Sequence, residues 1–144
     1  MLLMCISKLI SSLNRNFINN HIFKSFDISK YNLDLNFFNI DFKNFNRQLI
    51  FRNKYYEIYL IVWNKGHFID FHDHPKNGCH LKVLKGELHE KKKVYQPYLR
   101  IFESRLKEDN QTFASHDTFH SIEAIKDSVS LHIYSPPLYY EDKN

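Results

Sequence analysis

The sequence predicts a mainly β domain, an antiparallel barrel or double sheet, preceded by a short helical segment. Three observations carry this reading. Short runs of β-branched and aromatic residues recur from Arg47 onward, separated by Gly, Asn, Asp and Lys. No strand–helix–strand rhythm interrupts them, which argues against a parallel sheet. Thirteen Phe and nine Tyr against one Trp lean the same way, because aromatics suit a half-buried pleated surface. A chain of 144 residues is one domain, able to bury roughly 70% of its unfolded surface without disulfides.

Residues 1–45 read as a helical segment packing on a barrel that spans 46–144. Leu2, Ile6, Leu9, Leu13 and Phe17 recur at helical spacing. The start lacks a basic leader and Lys8 interrupts it, so an amphipathic helix is expected rather than a signal peptide. The stretch YYEIYLIVW, ending at Trp63, is the clearest strand, with two apolar faces. HFIDFHDH follows the Asn64-Lys65-Gly66 turn, and HLKVLKGELHEKKKV reads as two strands joined at Lys85-Gly86. RIFESRLKE, QTFASHDTFHSIEAI and DSVSLHIYSPP supply further strands. Pro136-Pro137 ends the last one, since proline cannot continue the ladder.

Charge and cysteine content narrow the function classes. Twenty basic and sixteen acidic residues give a net charge of +4, and the basic residues are scattered. The one run, Lys91-Lys92-Lys93, reads as a solvated loop beside a hairpin rather than a nucleic-acid patch. Cys5 and Cys79 allow one disulfide at most, which excludes a disulfide scaffold. No apolar run has membrane-spanning length. The expectation is a cytoplasmic protein without nucleic-acid or membrane partners.

The chemistry concentrates in FHDHPKNGCHLKVLKGEL, Phe71 to Leu88. Residues two apart on a strand share a face, so His72 and His74 project side by side, as two imidazoles sharing one metal must. A polar strand surface would carry the same pair, so the glycine frame around it matters more. Gly66, five residues, His72, one residue, His74, four residues, Cys79, six residues, Gly86 resembles the first cupin motif, with cysteine in place of the usual glutamate. That motif implies a cupin-type double-stranded β-barrel, or jelly-roll. A third ligand is expected from a later strand facing the pair across the barrel. His116 and His120 are the candidates; His120 is favoured because it lies in an alternating stretch, whereas His116 sits in a turn. The second cupin motif is poorly kept, with Ala124 where it places Asn. Three neutral imidazoles leave a divalent metal its full charge and open positions, which suits an anionic thiolate. Iron and zinc both accept such a set.

Two segments, WNKGHFIDFHDHPKNGCHLKVLKGEL (Trp63 to Leu88) and SVSLHIYSPP (Ser128 to Pro137), resemble the most recognisable blocks of the cysteine dioxygenases, thiol dioxygenases of the cupin superfamily. The similarity runs from about Phe45 to Pro137. It implies one Fe(II) per chain held by His72, His74 and His120, and oxidation of L-cysteine by O2 to cysteine sulfinic acid in a monomer. It also implies a thioether between Cys79 and Tyr134, with His132 hydrogen-bonded to the Tyr134 hydroxyl. FNRQLI, Phe45 to Ile50, resembles the family stretch that supplies an arginine for the substrate carboxylate, which implies that role for Arg47, with Arg52 as the fallback and Trp63 packing near the site. Phe45 stands where the family usually has tyrosine, which implies one hydroxyl fewer in the site, and the chain ends soon after SPP, which implies a more open site.

Other readings stay open at this point. One is a dioxygenase of another small thiol such as 3-mercaptopropionate; cysteamine has no carboxylate for Arg47. Others are a cupin that binds metal without turnover, and a zinc site. His21, His67, His80 and His89 read as surface or structural, and Tyr139 and Tyr140 as covering the barrel edge.

Overall fold

The computed structural model of the chain describes residues 2–141, with side chains from residue 6 onward. Helix α1 (Leu2–Ile18) is followed by three short 3₁₀ turns and then nine strands. These are β1 (Asn46–Arg52), β2 (Glu57–Trp63), β3 (Phe68–His72), β4 (Gly78–Lys85), β5 (Glu87–Val94), β6 (Arg100–Lys107), β7 (Gln111–Ala114), β8 (Phe119–Ala124) and β9 (Ser128–Ser135). They form two antiparallel sheets, ordered β1-β2-β9-β4-β7 and β3-β8-β5-β6. This is the mainly β double-sheet barrel that the strand pattern predicts. No described helix is long and apolar enough to cross a membrane.

The five-stranded sheet is buried on both faces, and alternation sorts its residues. Ile61, Trp63, Leu81 and Val83 point between the sheets, where they meet Leu88, Leu106, Ile122 and Ala124. Ile58, Leu60, Val129, Leu131 and Ile133 point outward and pack under Leu9 and Leu13 of α1 and under Phe23, Ile28 and Leu33. Two buried polar side chains of β4 tie the N-terminal segment down. Lys82 Nζ donates to the Ser29 and Tyr31 carbonyls and to the Asn32 side chain, at 3.0, 2.9 and 2.7 Å. His80 Nε2 donates to the Phe23 carbonyl at 2.8 Å, a structural histidine as expected.

Two local expectations are corrected, and two points that the sequence left open are resolved. β4 and β5 meet at Gly86 but belong to different sheets, so the join is a crossing between layers and not a hairpin. Lys91-Lys92-Lys93 lies within β5, paired to β6 and β8, and not in a solvated loop. QTFASHDTFHSIEAI contains two strands, β7 and β8, one in each sheet, with the His116-Asp117 turn between them. Cys79 is a free buried thiol, so the single disulfide is not formed; the Cys5 side chain lies outside the described residues.

The framing glycines have different physical duties. Gly86 holds φ +88°, and a Cβ there would stand 2.5 Å from the Asp127 carbonyl oxygen and against the Ser128 hydroxyl. Gly66 holds φ +86°, but a Cβ there meets nothing within 4 Å. Gly86→Ala therefore combines left-handed strain with a clash at the layer crossing, an expected loss on the order of 3 kcal/mol. Gly66→Ala should cost only the backbone strain, about 1 kcal/mol. Urea unfolding of the two variants checks the difference; equal losses would contradict it.

Candidate metal centre

The two halves of the site come from the two sheets. On the four-stranded sheet, β3 and β8 pair with Ile69 opposite Ile122 and His72 opposite His120, with a register shift between. This irregularity lets Ile69 and His72, three residues apart, both line the same cavity. His120 is thus the cross-strand neighbour of His72, not a residue facing it across the barrel. β3 ends at His72, so His74 is aimed by the segment leading into β4 rather than by strand alternation. His74 is fully buried at 0% exposure, and the His116 Nδ1–H donates to its backbone carbonyl at 2.7 Å. His116, the other candidate ligand, thereby holds the main chain of His74 while its own ring stays outside the cluster.

The ring nitrogens of His72, His74 and His120 converge, with one ligand atom from each inside 4.8 Å of the others. His74 Nε2 lies 3.0 Å from His120 Nε2, which lies 2.9 Å from His72 Nε2. Each Nδ1 faces an oxygen that can only accept: the Asp70 carbonyl at 2.9 Å, the Thr118 carbonyl at 2.8 Å and Glu90 Oε2 at 2.8 Å. In a neutral imidazole only one nitrogen carries hydrogen. All three protons are therefore on Nδ1, and three bare Nε2 lone pairs face one another. That is repulsive without a cation between them, and it is the donor set a divalent metal takes.

Burial keeps the rings neutral. It is the largest influence on each, pushing His72 below 6.5, His74 down to about 3 and His120 well below the ordinary value. Glu90, only 2% exposed, is pushed up by burial, opposed by Lys92 and by a bond accepted from the Thr112 hydroxyl at 3.0 Å. It orients His120 from behind.

The five-stranded sheet supplies the second half. Trp63 Nε1–H donates to Ser130 Oγ at 2.8 Å, and Ser130 Oγ stands 2.7 Å from His132 Nε2. Indole can only donate, and His132 Nε2 is the one described acceptor in reach of the fully buried Ser130 hydroxyl, which therefore donates to it. Burial holds the His132 imidazole neutral, which puts its one hydrogen on Nδ1, aimed at the Tyr134 hydroxyl at 3.1 Å. Arg47 Nη2 donates to the same oxygen at 3.1 Å. Tyr134 accepts twice, and its hydrogen is left for another acceptor. Cys79 is its cross-strand partner, with the two side chains in hydrogen-bonding reach. Burial pushes both the Cys79 thiol and the Tyr134 phenol up.

A cavity of about 200 Å³ joins the halves, lined by Arg47, Ile61, Trp63, Ile69, His72, His120, Ile122, His132, Tyr134 and Tyr140. Arg47, on β1, stands at its solvent-exposed side. Its fallback, Arg52, is engaged instead with Glu57 at 2.8 Å and Glu141 at 2.6 Å. Phe45 stacks on His67, ring centres 4.0 Å apart, and edges onto Trp63. Ser130, Glu90 and Tyr140 were not legible as site residues. Ser130 shares the parity of His132 and Tyr134, and Glu90 that of Leu88, so alternation carried a signal for both. Tyr140 follows the strand-ending prolines, where no periodicity remains; it forms part of the cavity wall rather than covering the barrel edge.

Comparison with known proteins meets this geometry from outside. The chain is 31% identical over 97 residues to cysteine dioxygenase type 1 of Danio rerio and 34% identical over 95 residues to that of Homo sapiens. Each match covers 59% of this chain and 47% of the relative, so the chain spans about half the length of the curated relatives it matches. In fold it resembles an RmlC-like cupin from Desulfovibrio desulfuricans, with a TM-score of 0.56 at 20% identity, covering 72% of this chain and 92% of that one. The family described as cysteine dioxygenase type I matches residues 6–142. Because that match runs from the N-terminal helix through every strand of the barrel, the chain belongs to the cysteine dioxygenase type I family.

Proposed function

We propose that the protein is a non-haem Fe(II) thiol dioxygenase that converts L-cysteine and O2 to cysteine sulfinic acid. The observation that carries this reading is the trio of bare Nε2 lone pairs opening onto the cavity that also holds Arg47 and Tyr134. Three neutral imidazoles suit iron and zinc alike; iron is proposed because the chain belongs to a thiol dioxygenase family, whose chemistry with O2 needs a redox-active metal. Ferrous iron held by His72, His74 and His120 would supply the centre where thiolate and O2 meet.

The chain's own residues then have distinct work. Arg47 binds the substrate carboxylate through a planar, bidentate contact and fixes which way the sulfur points. Ile61, Ile69, Ile122 and Trp63 make the wall apolar and keep water from the sulfur. His132, its tautomer set by Trp63 and Ser130, holds the Tyr134 hydroxyl in place while Arg47 turns to substrate. Both oxygen atoms end on sulfur and the thiol proton ends on the sulfinate, so no further reductant is required. The Cys79–Tyr134 thioether would form by loss of the thiol hydrogen and one ring hydrogen, with O2 as oxidant. Their cross-strand pairing supports it.

A second substrate has one observation in its favour. Among the described residues no carboxylate lines the cavity, so a substrate ammonium meets no described protein anion there. Cysteine must present a neutral amine, whereas 3-mercaptopropionate carries no amine at all.

Four outcomes test the proposal. Protein purified anaerobically and loaded with Fe(II) should consume one O2 per sulfinate with cysteine, and kcat/KM against 3-mercaptopropionate separates the two substrates. No uptake with any thiol, despite bound iron, would reduce the protein to a metal-binding cupin. Arg47→Ala should raise the KM for cysteine by roughly 10- to 100-fold, the loss of charge-assisted hydrogen bonds, with less effect on kcat. Intact mass after turnover should show loss of two hydrogens, absent in Cys79→Ser. The fourth concerns pH. His74, His120 and His132 are held below 6.5 in the fold, His74 at about 3, and are released on unfolding. Below pH 6.5 the unfolded chain binds more protons, so metal-free stability must fall as pH drops from 6.5 towards 3, by up to about 1.4 kcal/mol per pH unit for each group. Urea midpoints that stay level from pH 7 to 4.5 would contradict the buried neutral set.

A further inference from the structure

We infer that Tyr140 is the specificity-determining residue of this cavity, a wall that limits entry to short thiol carboxylates with an unbranched carbon chain. The inference rests on the thiol-binding reading above and adds to it which thiols fit. Of the ten described side chains lining the cavity, nine stand on strands of the two sheets. Tyr140 alone stands on a turn, after the last strand and its two prolines. The other nine are placed by strand ladders, so Tyr140 is the wall residue whose position no ladder sets.

Its contacts put it against both the recognition and the metal half. The Tyr140 ring meets Tyr134 edge-on at 5.4 Å and His72 edge-on at 6.0 Å, and the Arg47 guanidinium lies 5.5 Å from its centre. A carboxylate seated on Arg47 therefore lies beside this ring, and any branch on the substrate carbon chain must pass it. Two tethers hold the ring there. Its hydroxyl donates to the carbonyl of Asp73, the residue between His72 and His74, at 2.8 Å. The next residue, Glu141, accepts from Arg52 at 2.6 Å, and Arg52 is itself anchored to Glu57 of β2. The enclosed volume of about 200 Å³ is below the ~300–1,000 Å³ of pockets for larger ligands, which leaves room for a molecule of a few heavy atoms.

The test separates the wall from the chemistry by measuring binding without turnover. Trp63 is the single tryptophan and lines the same cavity, so its fluorescence reports occupancy of the anaerobic Fe(II)-loaded protein. Cysteine and penicillamine, which is cysteine with two methyl groups on the carbon next to sulfur, are titrated into the native protein, Tyr140→Ala and Tyr140→Phe. Native protein should prefer cysteine at least tenfold, the lower end of what one misfitting methylene group costs. Tyr140→Ala should bring the ratio within about threefold, mainly by tightening penicillamine, since one added methyl is worth tenfold or more at a closed wall. Tyr140→Phe keeps the ring and should keep most of the preference. An unchanged ratio in Tyr140→Ala, equal binding of both thiols by the native protein, or binding of neither, would overturn the inference; matched circular dichroism excludes misfolding. Oxygen uptake is measured separately: relaxed binding without uptake retains the wall and removes the dioxygenase, and uptake with an unchanged ratio does the reverse.

Discussion

The arrangement depends on where three protons sit. His72, His74 and His120 each give the Nδ1 hydrogen to an oxygen that cannot give one back, namely two main-chain carbonyls and Glu90. This fixes the tautomers, strips the facing nitrogens of hydrogen and creates a point of concentrated electron density. The second half repeats the logic with a different donor. Trp63 can only donate, so Ser130, His132 and Tyr134 fall into a single order of proton ownership. Neither half needs an ionised histidine, and burial ensures that none forms near neutral pH.

The architecture makes this possible by dividing labour between the faces of one sheet. Outward residues of β9, Val129, Leu131 and Ile133, lock α1 and the N-terminal turns onto the barrel, while inward residues Ser130, His132 and Tyr134 carry the relay. β4 does the same, with Lys82 and His80 outward and Cys79 inward. The N-terminal segment thus covers the back of the strands that hold the chemistry. The buried Lys82 of β4 is satisfied by three acceptors of that segment, which is what allows a charge under the helix side of the sheet.

Much of this was legible in the sequence, and the failures have physical causes. The strand pattern, the His-x-His pair, His120 and the Cys79–Tyr134 pairing followed from spacing, alternation and family resemblance. What could not be read was anything set by register irregularity or by the crossing between sheets. Strict alternation predicts that His72 and His74 share a face because of a strand, but the strand ends at His72 and the register is shifted before it. A run of lysines resembles a loop by composition, yet in β5 each ammonium has a partner: Glu103 for Lys91 at 3.4 Å, the Phe113 carbonyl for Lys92 at 2.7 Å and the Phe71 ring for Lys93 at 3.9 Å. Glu90 was hidden because a buried carboxylate looks like any surface charge until its partner on another strand is known. Tyr140 belonged to no periodic element at all.

The register on the four-stranded sheet has an additional meaning. β3 is an edge strand, bonded on one side only, whereas β9 lies in the middle of the larger sheet with neighbours on both sides. His72 therefore stands on a loosely fastened strand, and Tyr134 on a deeply fastened one. An ion held by His72 and His120 would join that border strand to its inner neighbour with bonds stronger than a ladder hydrogen bond. Loading the centre would rivet the margin of the barrel as well as equip it for reaction, so the emptied protein should begin to fray at this border, leaving the Tyr134 strand for last.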